Sequence, residues 1–225
     1  MPGGGRGYAR GMGREDRVAE LLRRYGRTYA EQAGIRLADK PSPLYRLLVL
    51  AVLLSARIDA GIAVAAAKEL SKAGFRTPRR MADATWQQRV DALGRGHYRR
   101  YDERTATMLG DGAQLLLDQY RGDLRRLHDA AGSTRELERR LQDVPGIGPA
   151  GAAIFCREVQ GVWTDVAPYV DDRAADGARK LGLPSSPKAL AGLVPAKRLP
   201  ALTALCVRAT LDDEVAAAAQ DVTRG

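Results

Sequence analysis

The run Val144-Pro145-Gly146-Ile147-Gly148-Pro149 constrains this chain more than any other stretch. An amphipathic segment, Ser133 to Asp143, leads into it, and a small-residue segment, Pro149 to Val159, leads out. Pro145 and the two glycines specify a tight turn that tolerates positive φ. Pro149 suits the first position of a helix, where a missing N–H costs nothing. Ile147, between the glycines, has the character of a plug for an apolar core. A Gly-rich turn at a helix start leaves several backbone N–H groups facing outward, and such a group of donors suits an anion, most often a phosphate. A plain helix–helix turn fits the same residues.

Helical periodicity dominates the rest. Val18, Leu21, Leu22 and Tyr25 predict a helix over Glu15–Gln32. Leu44–Ala56 is apolar nearly all round and predicts a buried central helix. Asp59 and Thr85 read as caps for helices over Ala60–Lys72 and Trp86–Leu93. Tyr101–Tyr120 reads as a long helix weakened by Gly110 and Gly112, and Leu124–Ala130 as a short one. Ser133 and Glu136 spell a capping box. Helices are also expected over Asp171–Leu183, Lys197–Thr210 and Asp212–Gln220, with breaks at Pro184 and Pro187. No window alternates long enough for a strand, so the class is all-α.

The formal net charge is +9, which favours a polyanionic partner, nucleic acid first. The cysteines are Cys156 and Cys206, far apart in apolar context. That pattern suits buried thiols in a reducing compartment, not a disulfide frame or metal cluster. Apolar runs such as Leu47–Ser55 are too short to span a membrane, and no signal peptide is evident. A cytoplasmic, nucleoid-associated location is expected. His97 and His128 stand on unrelated segments and suggest ordinary surface or capping roles, while Trp86 and Trp163 read as core anchors.

Several segments, in order, carry a resemblance. Leu47 to Arg57 (LLVLAVLLSAR) is similar to the buried helix of endonuclease III-like DNA glycosylases, which reads LLxAVLLSAQ. Tyr101 to Ala106 resembles that family's YNxKA segment, and Val144 to Gly148 its LPGVG hairpin. Val170-Asp171, followed by Leu181-Gly182-Leu183, resembles VDTHVxRVxxRLGL. Together they cover roughly residues 44 to 183 and point to the helix-hairpin-helix glycosylase superfamily.

The resemblance implies an all-α, two-domain helix-hairpin-helix DNA glycosylase fold with a cleft between domains. A flexible basic tail, residues 1–13, would precede it. A six-helix barrel domain would span 36–162, and residues 14–35 with 163–225 would form the second helical domain. Asp171 is the implied catalytic carboxylate, because loss of a base builds positive charge on the sugar that a carboxylate stabilises while activating water. Asp171 as a helix cap, or Asp172 as the matching residue, remain open readings. Gly146, Ile147, Gly148 and Ala150 form the implied DNA-phosphate-binding hairpin. Arg57 stands where the family has a glutamine that fills the gap left by an extruded base, though it also fits a surface arginine at a helix end. Arg104, with Arg99 and Arg100 around Tyr98 and Tyr101, reads as a DNA contact within a basic-aromatic patch.

Departures from the family pattern narrow the chemistry. Ala150 occupies the position of the lysine that forms an imine with the sugar in bifunctional members. The hairpin-to-aspartate spacing is a few residues longer, with the extra length near Trp163–Pro168. Arg173-Ala174-Ala175 replaces the residues usual after the aspartate. Of the cysteines, Cys206 alone lies where many members hold an iron–sulfur cluster, so no cluster or other metal cofactor is expected. The reading is a monomeric, monofunctional DNA N-glycosylase acting on damaged or mispaired bases in double-stranded DNA. A non-catalytic DNA-structure-binding protein on the same fold and a helix-turn-helix regulator are the alternatives.

Overall fold

A computed structural model describes residues 13–224. It is helical throughout, with no strand among the described residues. No described helix is long and apolar enough to cross a membrane. The chain forms two compact units: one holds the residues up to Arg27 together with those from Asp172, and the other holds Thr28–Asp171. The expected basic tail lies outside the described residues apart from Gly13.

Helix α1 (Arg14–Tyr25) turns Val18, Leu21 and Leu22 inward and ends at Gly26. A Cβ at Gly26 would lie 2.4 Å from the Leu22 carbonyl oxygen. The single helix expected over Glu15–Gln32 is therefore two. The second, α2 (Tyr29–Gln32), starts afresh under a capping box formed by Thr28 and Glu31.

In the larger unit α3 (Pro41–Ser55) is the central helix, with Leu44, Leu47, Leu50, Ala51 and Leu53 fully enclosed. Asp59 caps α4 (Ala60–Lys72), accepting the N–H groups of Gly61 at 2.8 Å and Ile62 at 3.2 Å. A short helix, α5 (Pro78–Asp83), follows; sequence periodicity passes over it, but Thr77 before Pro78 is a sound start signal. Next come α6 (Trp86–Arg95), under a Thr85–Gln88 capping box, and α7 (Asp102–Tyr120). Arg89 ties α5, α6 and α7 together. Its buried guanidinium donates to the carbonyls of Met81 at 3.0 Å, Ala84 at 2.7 Å and Ala106 at 2.8 Å. The glycines that seemed to weaken α7 mark close contacts. A Cβ at Gly110 would lie 2.7 Å from Arg89, and one at Gly112 3.1 Å from Val144.

Helices α8 (Leu124–Asp129), α9 (Thr134–Gln142) and α10 (Pro149–Val159) complete this unit. Ser133 accepts the Glu136 N–H at 3.2 Å, but the Glu136 carboxylate turns to Arg139, so the expected capping box is half formed. Helix α10 packs against both α3 and α9.

The smaller unit contains α1, α11 (Asp172–Lys180), α12 (Pro187–Ala191), a 3-10 turn at Ala196–Arg198, α13 (Leu199–Leu211) and α14 (Asp213–Arg224). Helices α11 and α13 meet at Gly177, where a Cβ would fall 1.7 Å from the Cys206 carbonyl oxygen. The Arg208 guanidinium donates to the carbonyls of Tyr25 and Arg27, fastening α13 to the end of α1.

The units divide at Arg27/Thr28 and Asp171/Asp172, which puts residues 28–35 and 163–171 in the larger unit. Two contacts explain this. The Glu158 carboxylate on α10 holds the start of α2, and Trp163 is buried with its Nε1–H donated to Asp39 at 3.0 Å.

Candidate functional site

The hairpin between α9 and α10 is set by three residues with different duties. Gly146 adopts φ +89°, the left-handed region, and a Cβ there would press on Val52 at 3.0 Å. Ile147 is the plug: it is 5% exposed and its N–H closes the turn on the Val144 carbonyl at 3.0 Å. Gly148, the N-cap of α10, is extended at φ −98°, ψ −171°, a conformation open to any residue. A Cβ at Gly148 meets nothing within 4 Å. The chain's own packing therefore does not require glycine there. The first amides of α10 lack intrahelical partners, as at any helix start, and Gly148 offers no side-chain cap. Gly148, Pro149 and Ala150 are exposed. The result is an open, donor-rich surface.

Beside it lies a pocket of about 450 Å³. Gly146, Ile147 and Gly148 form one wall, the α3 end with Val52, Ser55, Ala56 and Arg57 another, and Tyr98, Tyr101, Arg104, Thr105 and Met108 the rest. Arg57 and Arg104 are exposed, and among the described residues neither pairs with a carboxylate. The structure thus brings together the hairpin glycines, Arg57 and Arg104, residues far apart in sequence. Tyr98 is set apart from the rest of the expected basic-aromatic patch. It is 1% exposed, hydrogen-bonded to Thr105, and burial raises its phenol above the usual range. Arg100 lies over the Tyr101 ring at 5.2 Å.

Asp171 is not among the residues lining this pocket. It immediately precedes α11, and its Oδ2 pairs with the guanidinium of Arg157 in the last turn of α10. Arg157 is buried and the Asp171 side chain is 18% exposed. Around the pair, Tyr169 donates its hydroxyl to Glu138 at 2.5 Å. The Gln160 amide accepts the Tyr169 N–H at 2.8 Å and donates to its carbonyl at 3.1 Å. Burial, and the hydrogen bond to Glu138, push the Tyr169 phenol upward; burial likewise raises the Cys156 thiol far above its usual range.

Sequence reasoning passed over Arg157, Glu158 and Gln160. For Arg157 and Glu158 the signal was present: charged residues directly after Ala152-Ala153-Ile154-Phe155-Cys156, on a helix otherwise made to be buried, need buried partners. His128 is not isolated. Its ring stacks on Trp163 at 4.0 Å and its Nε2 lies 2.8 Å from Asp165. Trp163 is a core residue, whereas Trp86 is 41% exposed, its indole N–H directed at Thr107 at 3.1 Å. Among the described residues no cluster of His, Cys, Asp and Glu is arranged to hold a metal ion.

The architecture matches a known class of fold. Endonuclease III in a non-covalent complex with DNA is similar, with a TM-score of 0.50 and 19% identity, covering 84% of this chain and 80% of that one. Endonuclease III in a trapped covalent intermediate with DNA, an estranged-adenine complex, aligns at a TM-score of 0.48 and 17% identity, over 87% of this chain and 85% of that one. No family model and no curated protein matches the chain. The fold is all-α and endonuclease III-like.

Proposed function

We propose that the chain is a monofunctional DNA N-glycosylase that extrudes a damaged or mispaired base from double-stranded DNA and hydrolyses its glycosidic bond. The observation that carries this reading is the hairpin: Gly148 is extended, capless and free of any neighbour a side chain would strike, beside a pocket flanked by Arg57 and Arg104. A glycine that packing does not demand suits the close approach of an outside backbone, and exposed amides at a helix start suit a phosphate. Gly146, Gly148 and Ala150 hold that phosphate, with Ile147 anchoring the turn between the glycines; Arg57 and Arg104 contact the opened duplex.

In the reaction the C1′–N bond breaks and its electron pair leaves with the base. Water adds to C1′, keeps one hydrogen as the new hydroxyl and gives the other to the Asp171 carboxylate, which passes that proton to the departed base and leaves an abasic strand unbroken. Ala150 carries no amine, so no imine forms at that position. The donor set does not fit an iron–sulfur cluster: Cys156 and Cys206 are the only cysteines and lie in different units. The protein acts as a monomer without a cofactor, in the cytoplasm at the nucleoid.

One observation favours a second reading. The Arg157 guanidinium offsets the Asp171 charge, and a neutralised carboxylate stabilises a sugar cation less well. A DNA-structure-binding protein that cuts nothing fits that pairing. A panel of duplexes bearing uracil, thymine opposite guanine, thymine glycol or 8-oxoguanine separates the two. Base release that is lost in Asp171→Asn supports the glycosylase; tight binding with no release from any duplex supports the second reading.

A further inference from the structure

Arg157 is a buried cation on a helix whose preceding positions are small and apolar, and packing alone would favour another such residue there. Its guanidinium holds Oδ2 of Asp171. The nearby acid, Glu138, takes the Tyr169 hydroxyl, so the two carboxylates have separate partners. Gln160, three residues beyond Arg157, grips both backbone polar groups of Tyr169. The segment carrying Tyr169 and Asp171 is thus fastened at two points to the end of α10. The other end of α10 is the hairpin.

We infer that Arg157 is the positioning residue of the site: it fixes the direction of the Asp171 carboxylate and sets its distance from the phosphate held at Gly148. The inference rests on the reading of Asp171 as the carboxylate of base release. The two tasks share one rigid rod. Gly148 and Arg157 stand nine positions apart on the helix, about 14 Å of axial rise. A phosphate gripped at the start of α10 and a carboxylate pinned at its end cannot drift independently. Arg157 itself is too deeply buried, at 8% exposure, to touch DNA. Its contribution therefore falls on the bond-breaking step and not on binding.

The test uses the full chain and four variants: Arg157→Met, Arg157→Lys, Asp171→Asn and the Arg157→Met/Asp171→Asn double. Two readouts are needed: the single-turnover rate of base release across the lesion panel, and the affinity for a duplex with a central tetrahydrofuran. Arg157→Met is expected to slow release by about tenfold or more while affinity stays within about twofold, since a small misplacement of a reacting group costs rate. Arg157→Lys restores most of the rate. In the Asp171→Asn background Arg157→Met causes no further loss, because its effect passes through that carboxylate. An active parent with an unchanged Arg157→Met rate overturns the inference and leaves the glycosylase reading intact. So does an equal further loss in the Asp171→Asn background, which marks a purely structural role. A parent that binds the tetrahydrofuran duplex but releases no base overturns both. Should Arg157→Met lose its helical circular dichroism, Arg157→Gln takes its place in the same comparisons.

Discussion

The Glu158 carboxylate accepts the Tyr29 backbone N–H at 2.9 Å, and that of Ala30 at 3.2 Å, so a side chain of α10 caps a helix more than a hundred residues earlier. Burial dominates those bonds and raises the Glu158 carboxyl above its ordinary value of 4.5. The sign follows from linkage. Between the ordinary value and the raised folded value, the folded chain holds a proton that the unfolded chain has lost. Stability therefore falls as pH rises through that window, which opens near 4.5 and extends upward. Glu158→Gln removes this slope, though its amide nitrogen faces one N–H unfavourably. Urea unfolding of both proteins across pH 4 to 8 checks the prediction; parallel curves would contradict it.

The two hairpin glycines answer to different demands. Gly146→Ala forces a side chain into the left-handed region and against Val52, costing about 1–2 kcal/mol. Gly148→Ala costs little stability, since its backbone is extended and its Cβ meets nothing. Gly148→Val is expected to unfold near the parent's temperature yet bind duplex DNA at least tenfold more weakly. Equal binding by a folded Gly148→Val would remove the hairpin from the interface.

Phosphate contacts dominate the expected affinity, because the charge excess of +9 and the hairpin amides read no sequence. Affinity for undamaged duplex should fall by about tenfold or more between 50 and 200 mM salt. Arg104→Ala should flatten the slope by about one counterion. Fluorescence anisotropy over a salt series measures both.

The chemistry should leave an abasic strand that breaks only after alkali, and borohydride should trap no DNA adduct, since Ala150 supplies no amine. Asp171→Asn should slow base release by about a hundredfold. It should also destabilise the fold by about 3 kcal/mol, because it strands the buried Arg157 charge. The assay is therefore run well below the variant's unfolding temperature. Efficient trapping would show that another amine, Lys180 for example, attacks the sugar.

Gly177→Ala tests the smaller unit. Its Cβ falls inside the Cys206 carbonyl, so α11 and α13 must separate along their length. The expected cost is about 3 kcal/mol, at the upper end for overpacking. A thermal midpoint equal to the parent's would mean that the two helices slide apart freely.

Local signals carried most of the helices into view. Asp59, Thr85 and Ser133 each cap the helix that follows, because a short polar side chain before a helix start serves its free amides without help from distant residues. The hairpin was equally readable, since Gly-Ile-Gly between a proline and a helix start has few other uses. What stayed hidden depends on partners far along the chain. Arg157 and Asp171 stand fourteen residues apart across an irregular segment, and no periodicity links them. Glu158 and Tyr29 are farther apart still. Gly110 and Gly112 looked like flaws in α7 because the arginine and the valine that approach them come from other segments. Trp163 and Glu158 likewise draw flanking residues into the larger unit through contacts that composition does not advertise.

The division into units also orders events during synthesis. Helix α1 leaves the ribosome well before α13, since Arg208 of α13, which fastens its end, is made 183 residues after Tyr25. At the usual pace of translation, α1 waits on the order of ten to forty seconds for that partner. The continuous stretch from Thr28 to Asp171 meets no such delay and can close its core while α13 is still being made. A nascent chain would thus display a finished hairpin before α1 has its anchor, with the apolar face of Val18, Leu21 and Leu22 left for a chaperone to shield.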